Sequence, residues 1–180
     1  MQIFRPYVDW RRSADVLDDR RLGKQRVECM QVLNVILRKL GWINDGRKGW
    51  LNHPIGLLYY NSGKPYVRDI VGFFNACVQE WVNRGFRNSI DLSDISHLLA
   101  RVEGTEGTPI TRIHELEYRR VLLVKDPAHY VRAFPREEVI EVLETEPVFM
   151  SGINGWIFKD MARYRRAVKW IVSLIGRNDA

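Results

Sequence analysis

A carboxylate follows a run of positive charge near the start of the chain. Residues 17–28 read LDDRRLGKQRVE and include four basic residues: Arg20, Arg21, Lys24 and Arg26. The acid Glu28 comes next, and in a helix that begins near residue 19 it shares one face with Arg21 and Lys24. A carboxylate repels phosphate, so a patch that only binds phosphate has no use for one. We therefore interpret Glu28 as a group with acid–base or charge-stabilising chemistry to perform.

The length and charge of the chain narrow the class of protein. Its 180 residues suit one domain with a sizeable core, and we predict a single domain over residues 1–180. The net charge of +6 favours an anionic partner, and nucleic acid is the commonest such partner of a basic domain. Many basic proteins bind no DNA, so charge alone leaves both possibilities open.

The chain has two cysteines, Cys29 and Cys77. Each falls in an apolar helical pattern without metal-ligand spacing, so we predict buried free thiols, which suit a reducing cytoplasm. A disulfide between the two helices is the alternative. No apolar run approaches the roughly 20 residues of a membrane span, and the opening MQIFRPYVDW does not resemble a signal peptide. We therefore expect a cytoplasmic protein with no membrane partner.

The helix that carries Glu28 has signals at both ends. Asp18 or Asp19 can cap its start, and Gly41 is expected to end it. Apolar residues recur between these ends at close to 3.6 spacing: Leu22, Cys29, Met30, Leu33, Ile36, Leu37 and Leu40. These signals predict one long helix with a buried face.

The rest of the chain predicts helices and loops, because no stretch alternates as a strand does. Residues 1–8 are expected to be extended, since Pro6 keeps the chain before it out of a helix. Asp9 or Ser13 can cap a helix that runs to about 17, and Asn52 can cap one over 52–60. Further helices are predicted over 65–84, from 93 or 94, and over 111–124, 136–144 and 159–175. A short turn is predicted at Pro127. Residues 147–156 are irregular in pattern. We predict an all-α fold, a compact single-domain helical bundle with long loops.

Two segments resemble the pyrimidine-dimer DNA glycosylases of the phage endonuclease V type. Leu22, five further residues and Glu28 form a pattern similar to the second helix of that family. His53-Pro54 begins a stretch that ends in two tyrosines, and a long helix then closes with EWVNRGFRN, residues 80–88, as in the family. The stretches IFRPYVDWRRSADVLDDRRLGKQRVE and LLVKDPAHYVRAFP resemble uncharacterised microbial proteins placed in the same superfamily more closely still.

The resemblance implies covalent chemistry by the N-terminal amine. An α-amine has a pKa of about 7.7 to 8.0, so roughly a tenth is free base near neutral pH, against under about a thousandth of a lysine. In the family this amine attacks the anomeric carbon of a damaged nucleotide and forms a Schiff base with the opened sugar, after which β-elimination cuts the strand. The implied catalytic residues are Met1 and Glu28, with Glu28 assisting ring opening or stabilising the cationic intermediate.

The chain departs from the family at two positions. Aminopeptidases that remove Met require a small second residue, and position 2 is the bulky Gln2, so we expect Met1 to be retained and to supply the amine. Val27 stands where phage-type enzymes carry an arginine directly before the glutamate. Arg26 is the nearest substitute, but it points elsewhere on a helix. The lesion is therefore left open.

Each catalytic assignment has an alternative. Lys24 is a rival nucleophile, because a desolvated lysine forms the same Schiff base, and it can instead be a phosphate contact. Glu28 can be a surface glutamate that pairs with Lys24 at i−4. Met1 can be an ordinary N-terminus.

The basic run supplies the first predicted DNA contacts. Four residues are expected to bind phosphate: Arg20, Arg21, Lys24 and Arg26. The alternative is a solvated helix face with Asp18 and Asp19 as ion-pair partners. By the Leu22-to-Glu28 register, Arg21 also falls where the family has a site-lining residue.

Further predicted DNA contacts lie downstream. His53 stands at a helix start, where backbone donors attract phosphate, or else it is a capping or packing histidine. Lys125, His129 and Tyr130 surround a turn that can present a base-stacking ring, or else a helix start capped by Asp126. The basic residues of the last helix can follow a DNA backbone or form a plain solvated face.

Other kinds of site are not indicated. The sequence has no phosphate-binding Gly-rich motif, zinc-type spacing or nucleophile elbow, so we expect no cofactor and no metal. A run of glutamates over 137–146 is interpreted as a solvated helix face. We predict a DNA repair glycosylase with AP-lyase activity on damaged bases of double-stranded DNA, pyrimidine dimers among the candidates, acting as a monomer. The alternatives are a non-catalytic nucleic-acid-binding module and a base-excision enzyme for another lesion.

Overall fold

Helices are the regular elements of the fold. The computed structural model describes residues 1–177, and within this range no strand occurs. Ten α-helices and one short 3₁₀ turn after the third of them follow in chain order: α1 (Trp10–Asp15), α2 (Asp19–Lys39), α3 (Pro54–Tyr60), α4 (Val67–Asn83), α5 (Ser93–Leu99), α6 (Arg112–Lys125), α7 (Pro127–Ala133), α8 (Arg136–Glu144), α9 (Gly155–Lys159) and α10 (Met161–Arg177). The all-α prediction is confirmed. The predicted domain end at residue 180 lies outside the described residues.

Helix α2 begins and ends where its sequence signals place it. The Asp18 side chain caps the helix by accepting a hydrogen bond of 3.0 Å from the Arg21 backbone N–H. Gly41 follows the helix with φ of +76°, a left-handed conformation that glycine adopts at low cost. The apolar face of α2 is buried, mainly against α4 and α3. Cys29 of α2 and Cys77 of α4 are both buried and free, as predicted.

Three local predictions differ from the structure. The cap of α3 is His53 instead of Asn52, since His53 Nδ1 accepts a 3.2 Å hydrogen bond from the Ile55 N–H. The stretch after Pro127 forms the seven-residue helix α7 instead of a short turn. The irregular region from 147 contains the start of α9. These choices depend on tertiary contacts that local patterns do not encode.

Residues 1–8 run through the core without regular structure and bend from residue 6 on, where the sequence predicts an extended chain. Ile3, Phe4 and Tyr7 are buried. Arg5 is also fully buried and forms a 2.8 Å ion pair with Asp69 of α4. A buried charge is tolerated only when it is paired, so this pair ties the N-terminal segment to α4.

Helix α6 holds the second half of the chain together with buried charges. Arg120 pairs with Glu117 at 3.2 Å and donates 2.7 Å hydrogen bonds to the carbonyls of Val142 and Thr145. Glu117 also accepts a hydrogen bond of 2.6 Å from the Asn154 side chain. Helix α6 therefore fixes both the end of α8 and the segment 147–154 that follows it.

The glutamate run of α8 is more than a solvated face, which corrects the sequence interpretation. Glu138 and Glu141 each lie 3.5 Å from the buried guanidinium of Arg119. Arg119 in turn donates to the Pro6 carbonyl, so α8 helps to hold the N-terminal segment. Within residues 1–177, no helix is both long enough and apolar enough to cross a membrane.

Candidate active site

The N-terminal amine lies beside a buried carboxylate. The Met1 nitrogen is 3.9 Å from Glu28 Oε2, and the Gln2 N–H donates to the same oxygen at 3.1 Å. Glu28 is only 4% exposed, so it is not the surface glutamate of the alternative interpretation. The structure therefore brings together the two residues for which the sequence predicts catalysis.

A second α2 side chain sets the position of the N-terminal segment. The Gln25 side chain accepts a 2.8 Å hydrogen bond from the Phe4 N–H and donates one of 3.1 Å to the Gln2 carbonyl. It binds the extended backbone on both sides of Ile3, much as a neighbouring strand would. Because Gln25 is itself fully buried, it fixes the segment firmly and thereby holds the amine close to Glu28.

The surroundings of the amine favour its reactive form. Burial lowers the pKa of the Met1 amine below its ordinary value, the negative Glu28 partly opposes this, and the positive Lys24 adds to it. A lower pKa leaves a larger share of the amine as free base at neutral pH. The free base is the nucleophilic form, so the site suits nucleophilic attack by this nitrogen.

Lys24 lies next to the same carboxylate but in a different environment. Its ammonium is 3.4 Å from Glu28 Oε1, and its side chain is 61% exposed. An exposed lysine with a carboxylate partner lacks the desolvation that activates a lysine nucleophile. Of the two candidate nucleophiles, the Met1 amine therefore has the more suitable surroundings.

His53 lies within electrostatic reach of both catalytic candidates. Burial lowers its pKa most, the Met1 amine lowers it further, and Glu28 raises it. Its Nδ1 caps α3, so the capping alternative is confirmed, whereas phosphate binding stays a prediction. Gly152 has φ of +79°, and a Cβ there would lie 3.5 Å from the His53 ring. The segment around residue 152 therefore covers the start of α3.

The predicted phosphate contacts divide into two groups. Arg20 and Lys24 are exposed on α2. Arg21 is half-buried, because it pairs with Asp18 and lies 4.0 Å from Asp126. Arg20 and Lys24 are thus available to an anion, and Arg21 is held in a network of acids.

Arg26 lies apart from this cationic group. It is 7% exposed, stacks over the Trp81 ring at 4.1 Å and donates to the Asn88 side chain. To contact phosphate it would have to leave Trp81, which is a correction to its predicted role. Arg26 also does not substitute for the arginine that phage-type enzymes carry directly before the glutamate. Val27, which occupies that position, faces solvent, whereas Arg26 is buried against Trp81.

The turn after α6 is a helix start and not a stacking platform. Tyr130 is fully buried, stacks on Phe134 at 5.4 Å and donates a 2.7 Å hydrogen bond to Asp18. Its ring is therefore unavailable to a base, which corrects the stacking interpretation. Asp126 caps α7 by accepting from the His129 N–H, as the alternative predicts. The exposed His129 ring lies 3.3 Å from the Val16 carbonyl.

Sequence reasoning missed two parts of the site. Gln25 interrupts the apolar face of α2 between Leu22 and Cys29, and a polar residue on a buried face is a signal that it has a partner. The sequence predicts Lys125 as a DNA contact but does not group it with Arg163 and Trp156, whose contacts bring the three residues together. Among the described residues, no three His, Cys, Asp or Glu side chains form a metal-binding group.

Comparison with known proteins gives one family match. The sequence model of one family, described as pyrimidine dimer DNA glycosylase, matches residues 1–94, just over half of the 180 residues. Neither the curated proteins nor the solved structures include a match. The matched region includes the amine, Gln25, Glu28 and His53. The chain therefore belongs to the pyrimidine dimer DNA glycosylase family.

Proposed function

We propose that this protein is a DNA repair glycosylase with AP-lyase activity, acting on damaged bases of double-stranded DNA through a Schiff base on the Met1 amine. One observation carries the proposal: a partly buried α-amine with a lowered pKa lies 3.9 Å from the buried carboxylate of Glu28. Family membership supplies the substrate class, and pyrimidine dimers are the first lesion to test.

The chemistry follows from the two groups. The Met1 nitrogen lone pair attacks C1′ of the damaged nucleotide, and the glycosidic C–N bond breaks with its electron pair leaving on the base. Glu28 takes a proton from the attacking nitrogen and delivers it to the ring oxygen as the C1′–O4′ bond breaks, and its carboxylate then stabilises the iminium cation that links C1′ to the Met1 nitrogen. Loss of a C2′ proton then expels the 3′ phosphate by β-elimination, and water releases the amine.

DNA binding precedes this chemistry. The exposed cations Arg20 and Lys24 lie on the same helix as Glu28, so phosphates bound there bring a sugar close to the amine. Moving a nucleotide out of the stack costs on the order of a few kcal/mol, and less at a damaged site. This lower cost favours damaged nucleotides, and the fit of the damaged base beside the amine then selects the lesion.

Borohydride trapping against a panel of damaged duplexes tests the proposal. Borohydride reduces an imine to a stable amine, so only an imine-forming enzyme becomes covalently attached to DNA. We expect attachment to an abasic duplex and to at least one base-damaged duplex, and none to undamaged DNA. Binding without attachment to any member of the panel would instead favour the non-catalytic nucleic-acid-binding module.

The pH dependence of trapping should respond to the two charges beside the amine. Trapping on abasic DNA falls as pH drops through the pKa of the amine, because protonation removes the lone pair. Glu28 raises this pKa and Lys24 lowers it. The pH midpoint of this decrease in trapping should therefore shift to lower pH in Glu28→Gln and to higher pH in Lys24→Ala. Rates measured between about pH 5 and 9 locate each midpoint.

A matched control completes the pH experiment. Lys64→Ala also removes one exposed lysine, and Lys64 is not among the charges that shift the pKa of the amine. Its profile should overlay that of the wild type. Shifts of the two test variants in the same direction, or none at all, would mean that the titrating group is not the Met1 amine.

A further inference from the structure

Two cations of the second half of the chain flank one tryptophan. Lys125 Nζ, at the end of α6, lies 5.1 Å from the centre of the Trp156 ring, and the Arg163 guanidinium of α10 lies 5.2 Å from it. Cation–π contacts of this length hold both side chains in place. We call these three residues the Trp156 cluster.

The Trp156 cluster lies beside the start of α2, because Arg21 is 4.0 Å from Asp126, the chain neighbour of Lys125. Burial lowers the pKa of Lys125 most, and four positive neighbours lower it further: Arg21, Arg163, Lys24 and Arg20. Nearby acids are engaged elsewhere, since Asp126 lies by Arg21 and Asp160 accepts from the Arg163 backbone N–H at 2.9 Å. Within residues 1–177, neither Lys125 nor Arg163 has a carboxylate within ion-pair distance. An anion placed here would offset both the burial and the mutual repulsion.

Lys24 connects this cluster to the candidate active site. Its ammonium lies 3.4 Å from Glu28, and one turn away on the same helix Arg21 lies 4.0 Å from Asp126, the chain neighbour of Lys125. A strand of DNA that presents a sugar to the Met1 amine can therefore place its neighbouring phosphates at Lys24 and then at the Trp156 cluster. Consecutive nucleotides of one strand are only about 3.4 Å apart along the duplex axis.

We propose that Lys125 and Arg163 bind the backbone phosphates that flank the reacting nucleotide. The second half of the chain, beyond the family-matched residues 1–94, then completes the DNA-binding surface. This proposal rests on the proposed function for the identity of the anion. The contacts of both cations with Trp156 reduce the ordering needed on binding, which favours affinity.

The test compares two double variants that remove the same charge. Lys125→Ala/Arg163→Ala removes the cluster cations. Arg165→Ala/Lys169→Ala is the control, because both residues are exposed on α10 and lie on the side away from Arg163 by helical spacing. The probe is a duplex with one tetrahydrofuran abasic analogue, which cannot form an imine. Binding is measured from about 50 to 200 mM salt.

We expect the cluster variant to bind at least about tenfold more weakly and its log–log salt slope to fall by about 2, one for each lost phosphate contact. The control should stay within about twofold of the wild type. Equal loss by both variants would show a general charge effect and would overturn the proposal, as would wild-type binding by the cluster variant. Circular dichroism melts establish that each variant is folded.

A second readout separates this proposal from the proposed function. At saturating protein, the cluster variant should still be trapped on an ordinary abasic duplex, because Met1 and Glu28 are intact. Failure of the wild type to be trapped would refute the Schiff-base chemistry and leave the binding comparison to decide the phosphate contacts. Failure of the wild type to bind the duplex at all would overturn both.

Discussion

Blocking the Met1 amine should abolish strand cleavage and borohydride trapping while DNA binding stays close to that of the wild type. The amine is the nucleophile in the proposed reaction, and an acetyl group or a Gly-Ser extension removes or displaces it. Any lysine that replaced it would have a free-base fraction about two orders of magnitude smaller at neutral pH. We therefore expect the trapping rate to fall at least about a hundredfold.

The experiment with the blocked amine needs a binding measurement and a second variant that lacks the rival nucleophile Lys24. Binding of the tetrahydrofuran duplex shows whether the blocked protein still reaches its substrate. Lys24→Ala removes the rival amine, and it should bind more weakly but still form the imine, because the Met1 amine remains in place beside Glu28. If the blocked protein is trapped normally and Lys24→Ala is not, then Lys24 is the nucleophile and the assignment of Met1 is wrong.

Glu28→Gln should separate base excision from imine formation. The amide oxygen of glutamine can still accept the Gln2 N–H, which donates to Glu28 Oε2 at 3.1 Å, so the segment keeps its position. It carries no charge and cannot transfer a proton, so excision of a damaged base should fall by about 10² to 10⁴. Trapping on a ready-made abasic site should persist, because the amine remains and its pKa falls further without the Glu28 charge.

Product analysis checks this prediction on matched duplexes that carry either a damaged base or an abasic site at one position. Glu28→Asp is the conservative control, because it keeps the charge but withdraws the carboxylate by one methylene. Partial excision by this variant would indicate that charge and distance both matter. Wild-type excision by Glu28→Gln would show that the carboxylate only holds the N-terminal segment.

The parts of the fold that local signals specify were predictable from the sequence. Helix α2 has a capping aspartate, an apolar face and a terminal glycine, and each acts within a few residues of its own position. The cap of α3 was not predictable, because Asn52 and His53 are adjacent and both can cap a helix. The packing of the neighbouring chain decides between them.

The two candidate catalytic residues could be predicted from the sequence, but the residues that position and surround them could not. Family resemblance pointed to Met1 and Glu28, and the structure places them together. The contacts of Gln25 with the N-terminal segment and of Lys125 with Trp156 join segments more than 20 residues apart, which no local pattern encodes. Tyr130 is a residue that the sequence predicts in the site and the structure removes from it. Its ring was predicted to stack on a base, but it is fully buried and its hydroxyl donates to Asp18.

The hydrogen bond from Gln2 to Glu28 has a consequence for maturation of the protein. If Met1 were removed, the Gln2 nitrogen would become the terminal amine, and it already lies 3.1 Å from the carboxylate. An N-terminal glutamine, however, cyclises to pyroglutamate with loss of ammonia, and the resulting lactam nitrogen is not a nucleophile. In the proposed reaction a retained Met1 would therefore have a second role, because it keeps the glutamine nitrogen in a peptide bond and offers an amine that its own side chain cannot consume.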